Sequence, residues 1–72
     1  MKMTLAQQRA KGKLTSEWQC AYSLGESLST LRALVRMGVA DIAYGAPRAM
    51  FSPRTGIFFR MRRNADENAR QA

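Results

Sequence analysis

The spacing of apolar and polar residues in the first half of the chain predicts three successive helices. The first spans residues 4–13, where Thr4 followed by Gln7 fits a capping box and Gly12 fits a helix end. Leu5 and Ala10 give this segment a thin apolar stripe, while most of its other positions are polar. The pattern therefore predicts a short, capped helix that rests one narrow face on the core.

Two further helices are predicted at close intervals. The second covers residues 15–25, where hydroxyl residues at the start can serve as N-cap and Gly25 permits a left-handed end. The third covers residues 27–38, with Ser27 as its N-cap and Gly38 at its end. The apolar positions of these two helices are Trp18, Ala21, Tyr22, Leu24, Leu28, Leu31, Leu34 and Val35.

Burial is the expected role of most of these apolar side chains. An apolar stripe at helical spacing normally faces inward, so we expect the leucines of the third helix, Val35 and Trp18 to form the core. Cys20 has no histidine to activate it, and we expect an inert buried thiol. A single cysteine also excludes an internal disulfide, and without histidine the chain lacks a ligand set for zinc.

The hydrophobic period changes after the third helix. Residues 40–47 have an irregular pattern, whereas segments 48–51 and 57–62 are short, aromatic and β-prone. Pro53 presets a turn and Gly56 supplies positive φ, so these segments predict a two-stranded hairpin with a slightly long loop. Alternation in the second strand predicts an inward face of Ile57, Phe59 and Met61 and an outward face of Phe58, Arg60 and Arg62.

The predicted fold class is α+β, with three helices followed by a two-stranded hairpin. A chain of 72 residues suffices for one small domain, which we place at residues 1–62. Residues 63–72 contain a charge cluster and no large apolar side chain, so we expect a polar, flexible tail there.

The charge balance narrows the class of partner. Twelve Lys and Arg against five Asp and Glu give a net charge of +7, which favours polyanions. Nucleic acid is the leading partner class, although an acidic protein or an anionic membrane surface could also supply the countercharge. No segment approaches the roughly 18 to 20 apolar residues of a membrane span, so we expect a cytoplasmic, nucleoid-associated protein without a membrane partner.

Catalysis finds little support in the sequence. Five acidic residues, no histidine and no glycine-rich phosphate loop leave no acid–base pair and no activated nucleophile. We therefore expect no enzyme activity, no catalytic residue, no cofactor and no metal.

Three segments resemble parts of a known family. AYSLGESLSTL, residues 21–31, resembles the turn of helix-turn-helix regulators, and TLRALVRMGV, residues 30–39, is similar to the end of the recognition helix in winged-helix repressors. TGIFFRMR, residues 55–62, resembles the second strand of the wing. Together with the preceding helix they cover residues 15–62, about two-thirds of the chain. The resemblance implies a small winged helix-turn-helix DNA-binding domain of the phage or mobile-element type.

The resemblance also implies a mode of DNA binding. Residues 27–37 would enter the major groove of double-stranded DNA, and the wing at residues 48–62 would lie on the backbone or in the minor groove. Arg32 would contact guanine through two hydrogen bonds, Ser29 would contact a base or phosphate, and Arg36 would contact phosphate.

The wing and the first helix would add further contacts. Arg54 is expected to project from the loop tip into a minor groove, and Arg48 and Arg60 are expected on the outward basic face of the hairpin. Lys11 and Lys13 suit non-specific phosphate contacts. The predicted DNA-binding residues are Ser27, Ser29, Arg32, Arg36, Arg48, Arg54, Thr55, Arg60, Lys11 and Lys13.

One residue departs from the family pattern. Glu26 occupies the turn where many helix-turn-helix proteins bury an aliphatic side chain, and we expect Leu28 to take over that packing. A glutamate beside DNA repels phosphate unless it accepts a hydrogen bond from cytosine or pairs with an arginine.

These features leave two principal functions open. The first is sequence-specific DNA binding as a small transcriptional regulator, acting as a homodimer through Tyr44, Phe58 or the tail, or alongside another protein. The second is a phage-type protein-interaction module, an inhibitor or adaptor, that binds an acidic host protein or nucleoprotein surface. An RNA-binding or DNA-packaging role is a third alternative.

Overall fold

Three short helices and a three-stranded antiparallel sheet make up the described part of the chain. The computed structural model describes residues 2–46 and 53–63. The elements in chain order are α1 (Leu5–Lys13), β1 (Gln19–Cys20), α2 (Ala21–Leu24), α3 (Leu28–Arg36), β2 (Ala40–Tyr44), a 3-10 turn (Pro53–Gly56) and β3 (Ile57–Met61). The α+β class is confirmed, but the prediction of two strands is wrong because β1 adds a third.

The start of α1 confirms the predicted capping box. The hydroxyl of Thr4 accepts from the backbone N–H of Gln7 at 3.0 Å, and the Gln7 side chain accepts from the Thr4 N–H at 3.0 Å. The predicted helix range to Lys13 is confirmed, but the residue at which the helix ends is the C-cap Leu14 rather than Gly12. Leu5 is also misassigned: its side chain is exposed, and Ala10 is the residue of α1 that is buried.

The second predicted helix is largely wrong, because only Ala21–Leu24 is helical. The preceding residues extend along β3 instead, and the backbone N–H of Met61 donates to the carbonyl of Thr15 at 2.7 Å. The Thr15 hydroxyl accepts from the N–H of Glu17, a local turn that competes with a helix start. Pairing with β3 therefore overrides the helical spacing of this segment. Trp18, expected in the core, lies 42% exposed as a result.

The third predicted helix is confirmed. Ser27 accepts from the backbone N–H of Thr30 at 3.2 Å as the N-cap of α3. Gly25 and Gly38, which flank this helix, have φ values of 69° and 79°, which a residue with a Cβ atom rarely adopts. The two glycines therefore fix the directions in which the chain enters and leaves α3.

The sheet has the strand order β1-β3-β2, with both pairs antiparallel. β2 corrects the expectation of an irregular segment at residues 40–47, and the predicted strand at 48–51 lies outside the described residues. Gly56 does not have positive φ, since residues Pro53–Gly56 form a right-handed 3-10 turn. Residues 64–72, the expected tail, also lie outside the described part.

The core lies between the helices and the inward face of the sheet. Phe59 is fully buried at the centre of β3, and Ile57 and Met61 on the same face pack partly buried against the core, as predicted. Leu31 and Leu34 of α3 are fully buried. The buried core residues are Ala10, Leu14, Ala21, Leu24, Leu31, Leu34, Ala40 and Phe59.

Three further residues that were expected to be buried in the core are only partly buried. Leu28 and Val35 are partly buried at the margin of the core. Cys20 is also only partly buried, and its thiol donates to the carbonyl of Arg54 at 3.2 Å. The thiol therefore contacts the 3-10 turn rather than lying in the apolar interior.

Replacing Leu31 with alanine tests this core. Because Leu31 is fully buried, Leu31→Ala should lower the free energy of unfolding by about 2 to 5 kcal/mol. The same change at Leu5, which is 81% exposed, should alter it by no more than about 0.5 kcal/mol. Denaturant unfolding followed by circular dichroism measures both values, and equal effects would contradict the assigned core.

Candidate nucleic-acid interface

The turn between α2 and α3 contains a buried carboxylate. The side chain of Glu26 is 4% exposed and accepts two hydrogen bonds from Arg9 of α1. The Arg9 Nε–Glu26 Oε2 and Arg9 Nη2–Glu26 Oε1 distances are both 2.9 Å. Two hydrogen bonds between a planar guanidinium and a planar carboxylate fix the relative orientation of the two side chains and also pair their opposite charges.

Lys13 completes this ion cluster, which we define as Arg9, Lys13 and Glu26. The Lys13 ammonium lies 2.9 Å from Glu26 Oε2 and also donates to the carbonyl of Leu24 at 3.1 Å. Arg9 and Lys13 are four residues apart and therefore share one face of α1. The cluster thus joins α1 to the segment that leads into α3.

The two cations favour the charged form of Glu26. Hydrogen bonds from Arg9 and then Lys13 lower the pKa of Glu26 from its usual 4.5 to about 2, against a smaller opposing effect of burial. The same contacts raise the pKa of Arg9. Glu26 is therefore an anion at neutral pH, and the formal charge of the cluster is positive rather than negative.

The outward face of α3 carries two guanidinium groups, those of Arg32 and Arg36. Ser29, Arg32 and Arg36 are exposed and lie three and four residues apart, so they share one face of the helix. Within residues 2–46 and 53–63, neither arginine pairs with a carboxylate. This face is opposite the buried leucines and is open to a partner.

The serine hydroxyls at the start of α3 have different roles. Ser27 donates to the Thr30 hydroxyl at 2.8 Å besides capping the helix, so its oxygen is already engaged within the turn. The Ser29 hydroxyl lies 3.2 Å from that of Ser27 and remains exposed. Of the two predicted contacts, Ser29 is the one that is better placed to meet a partner.

The two predicted lysines of α1 also differ. Lys11 is exposed and, in the described part of the chain, has no carboxylate partner. Lys13 is committed to Glu26 and to the carbonyl of Leu24. Lys11 is thus available for a phosphate, whereas Lys13 stabilises the fold.

Arg54 does not occupy the exposed loop tip that the sequence suggested. It is partly buried, and its Nη2 atom donates to the carbonyls of Ala21 and Glu26. The guanidinium therefore joins the 3-10 turn to the start of α2 and to the turn between α2 and α3. The residue next to it, Thr55, is also partly buried.

Arg60 is held on the outer face of the sheet. Its Nε donates to Asp41 at 3.2 Å across the β2–β3 pair, and its guanidinium lies 4.4 Å from the centre of the Trp18 ring. Asp41 also lies 4.0 Å from Arg62. The outer face is thus less basic than the sequence indicates. Arg48, another predicted contact, lies outside the described residues.

An open apolar groove lies beside the outward face of α3. It has a volume of about 610 Å³ and runs between the start of α1 and the end of α3. Arg36 is its charged lining residue. The full lining is Met3, Gln7, Ala33, Arg36, Met37 and Val39.

Comparison of the chain with protein-family profiles, curated proteins and solved structures finds no significant match. No helix in the described part is long and apolar enough to cross a membrane. Residues 2–46 and 53–63 contain no group of three or more potential metal ligands. The candidate interface is therefore assigned from the geometry of this chain and not from a known relative.

Arg9 is the important residue that sequence reasoning missed. The positions of Arg9 and Lys13, one helical turn apart, indicate a shared cationic face on α1. The sequence marks Glu26 as an acid that repels phosphate unless it accepts from cytosine or pairs with an arginine. What the sequence could not supply was the packing of α1 against α3, which brings these groups together.

The ion cluster gives stability a defined dependence on pH. Because the pKa of Glu26 falls from 4.5 to about 2 on folding, its stabilisation is present above about pH 4.5 and is lost as pH falls toward 2. The free energy of unfolding of the native protein should therefore exceed that of Glu26→Gln at neutral pH. This difference should shrink progressively below about pH 4.5.

Urea unfolding followed by circular dichroism across this pH range measures the difference. Glu17→Gln is the matched control, because Glu17 is exposed and has no ion pair among the described residues. The control should leave the free energy of unfolding nearly unchanged at each pH. A Glu26→Gln effect that stays constant from neutral pH to about pH 2 would contradict the account.

Proposed function

We propose that this chain binds double-stranded DNA through the outward face of α3 and acts as a small transcriptional regulator. The observation that carries the proposal is the exposed set Ser29, Arg32 and Arg36, whose two guanidinium groups have no carboxylate partner in the described part. A helix of this width fits a major groove, where arginine can read guanine and serine can contact a base or phosphate.

The neutralised Glu26 supports this proposal. A free carboxylate at the start of the reading helix would repel the DNA backbone. Arg9 and Lys13 remove that obstacle, since they bind the carboxylate and leave the cluster with a positive formal charge. The net charge of +7 adds a long-range attraction to any duplex.

The order of elements is compatible with a winged helix-turn-helix. A short turn separates α2 from α3, and an antiparallel pair of strands follows. In this proposal the wing comprises residues 48–62, of which the structure describes residues 53–62. Arg54 and Arg60 have partners within the fold. Among the described residues, the proposed DNA contacts therefore fall mainly to Arg32, Arg36 and Lys11, and Arg54 positions the turn before α3.

Binding to duplex DNA across a salt series tests the function. For a specific reader, Arg32→Ala should cost about 1 to 3 kcal/mol and reduce discrimination between a selected and a random sequence. Arg36→Ala should weaken binding to both sequences and reduce the salt slope by about 1, as expected for a phosphate contact. Fluorescence anisotropy with labelled duplexes measures these quantities.

Arg63→Ala provides the matched control. Arg63 is exposed and lies outside both the recognition helix and the wing, so its loss removes the same charge without removing a base contact. The discrimination ratio should stay unchanged in this variant. Absence of duplex binding at about 50 mM salt, or an Arg32→Ala effect that Arg63→Ala reproduces, would overturn the proposal.

A second candidate function rests on the apolar groove. Met3 and Met37 give this surface adaptable side chains, and Arg36 could pair with a carboxylate beside an apolar anchor. The partner would be an acidic, amphipathic protein segment, as expected of an inhibitor or adaptor. Absence of duplex binding combined with NMR shifts of the two methionine methyl groups on adding such a peptide would favour this function.

A further inference from the structure

β2 lies at an edge of the sheet, and its register defines which backbone groups face outward. The N–H of Gly45 donates to Gly56 at 2.8 Å, and the N–H of Arg62 donates to Val39 at 2.9 Å. Both pairs belong to the same antiparallel register as Ile42 with Phe59. In such a ladder, residues that exchange hydrogen bonds with the partner strand alternate with residues that do not. The odd-numbered residues of this segment therefore bond to β3.

The even-numbered residues direct their N–H and C=O groups away from β3. Among these, Ala40 is 2% exposed and thus covered, whereas Ile42 is partly exposed and Tyr44 and Ala46 are exposed. No backbone partner for these outward groups occurs within residues 2–46 and 53–63. The accessible edge consequently extends from Ile42 to Ala46.

Between Ile42 and Ala46, this edge lacks the usual protection against pairing. Natural edge strands often carry lysine, proline or a bulge, which discourage a second strand from adding. The sequence Ile42–Ala-Tyr-Gly–Ala46 contains neither a charge nor a proline. Tyr44, at its centre, is 68% exposed, although it lies on the same side of the sheet as Ile42. An exposed aromatic on an uncharged edge is a feature that strand pairing would bury.

We propose that a second copy of this chain adds to the β2 edge, antiparallel and with a two-fold axis at Tyr44. In that register Tyr44 pairs with Tyr44 of the partner subunit, and Ile42 pairs with Ala46 of the partner subunit. Each of these residues exchanges the backbone hydrogen bonds that its own sheet leaves open. The two tyrosine rings meet as a cross-strand aromatic pair.

The symmetry of the register favours a second copy as the occupant. The stretch from Ile42 to Ala46 is complementary to itself about Tyr44, because every outward donor and acceptor on one copy meets the same set on the other. Two chains that each carry +7 repel one another at long range, but this stretch adds no charged side chain to the contact.

Two measurements on the full chain test the dimer directly. Sedimentation equilibrium up to about 1 mM protein should show a species of twice the 8.1 kDa chain mass that grows with concentration. Amide hydrogen exchange should show that Ile42 and Tyr44 gain protection over the same concentration range. Asp41 and Ala43, which bond to β3, should be protected throughout. A monomer at every concentration, or protection of Ile42 and Tyr44 that does not change, would overturn the proposal.

A charge exchange at the two-fold axis tests the register. Tyr44→Lys places two ammonium groups opposite each other and Tyr44→Glu places two carboxylates there, so each variant alone should be monomeric. An equimolar mixture should recover the dimer, because the unlike charges then face each other. Tyr22→Lys, the same change at another exposed tyrosine, should leave the dimer intact. Circular dichroism verifies that each variant is folded.

The outcome of the mixture is decisive. If Tyr44→Lys and Tyr44→Glu are folded but the mixture stays monomeric, or if either variant dimerises alone, the register is wrong. The dimer does not rest on the proposed function, because none of these measurements contains DNA. A dimer that forms without duplex binding would separate the two proposals.

Discussion

The carboxylate of Glu26 is the group on which the arrangement of the helices depends. It lies almost fully buried in the turn before α3, and without cationic partners it would be strongly unfavourable there. Arg9 and Lys13 supply those partners from one face of α1, and Lys13 also binds the carbonyl that ends α2. Arg54 binds the backbone of the same turn from the 3-10 turn that precedes β3. A small core thus gains a polar anchor that fixes where α3 begins.

This anchor divides the basic residues into two groups. Arg9, Lys13, Arg54 and Arg60 bind carboxylates or carbonyls within the fold, so much of the positive charge in the sequence stabilises the structure. Arg32 and Arg36 are left on the outward face of α3, where no described acid competes for them. Charge count alone therefore overstates the surface that is available to a polyanion. More informative is the location of the two arginines that have no acidic partner among the described residues, and it favours the outward face of α3 as the surface that a polyanion would meet.

Local signals made part of the fold predictable. The capping box of α1, the N-cap and glycines of α3, and the inward face of β3 each follow from a few neighbouring residues. The two strands that the sequence did not predict depend on pairing between distant residues. Gln19 and Cys20 form a strand because they pair with an edge of β3. The alanine-rich β2 has weak intrinsic strand preference, so its own residues do not indicate a strand. At the candidate site, the outward face of α3 follows from helical spacing. The inward direction of Arg54 does not, since its acceptors are distant in sequence.

We propose that the anchoring of Glu26 leaves the Ser29–Arg32–Arg36 face of α3 as the surface that meets DNA. NMR chemical-shift mapping, with duplex DNA added to the labelled full chain at low salt, tests this proposal. We expect the largest changes in the backbone amides and guanidinium groups of Arg32 and Arg36 and in the amide of Ser29. Large changes confined to the outer sheet face around Trp18 and Arg60, or no changes on α3 when DNA binds, would contradict it.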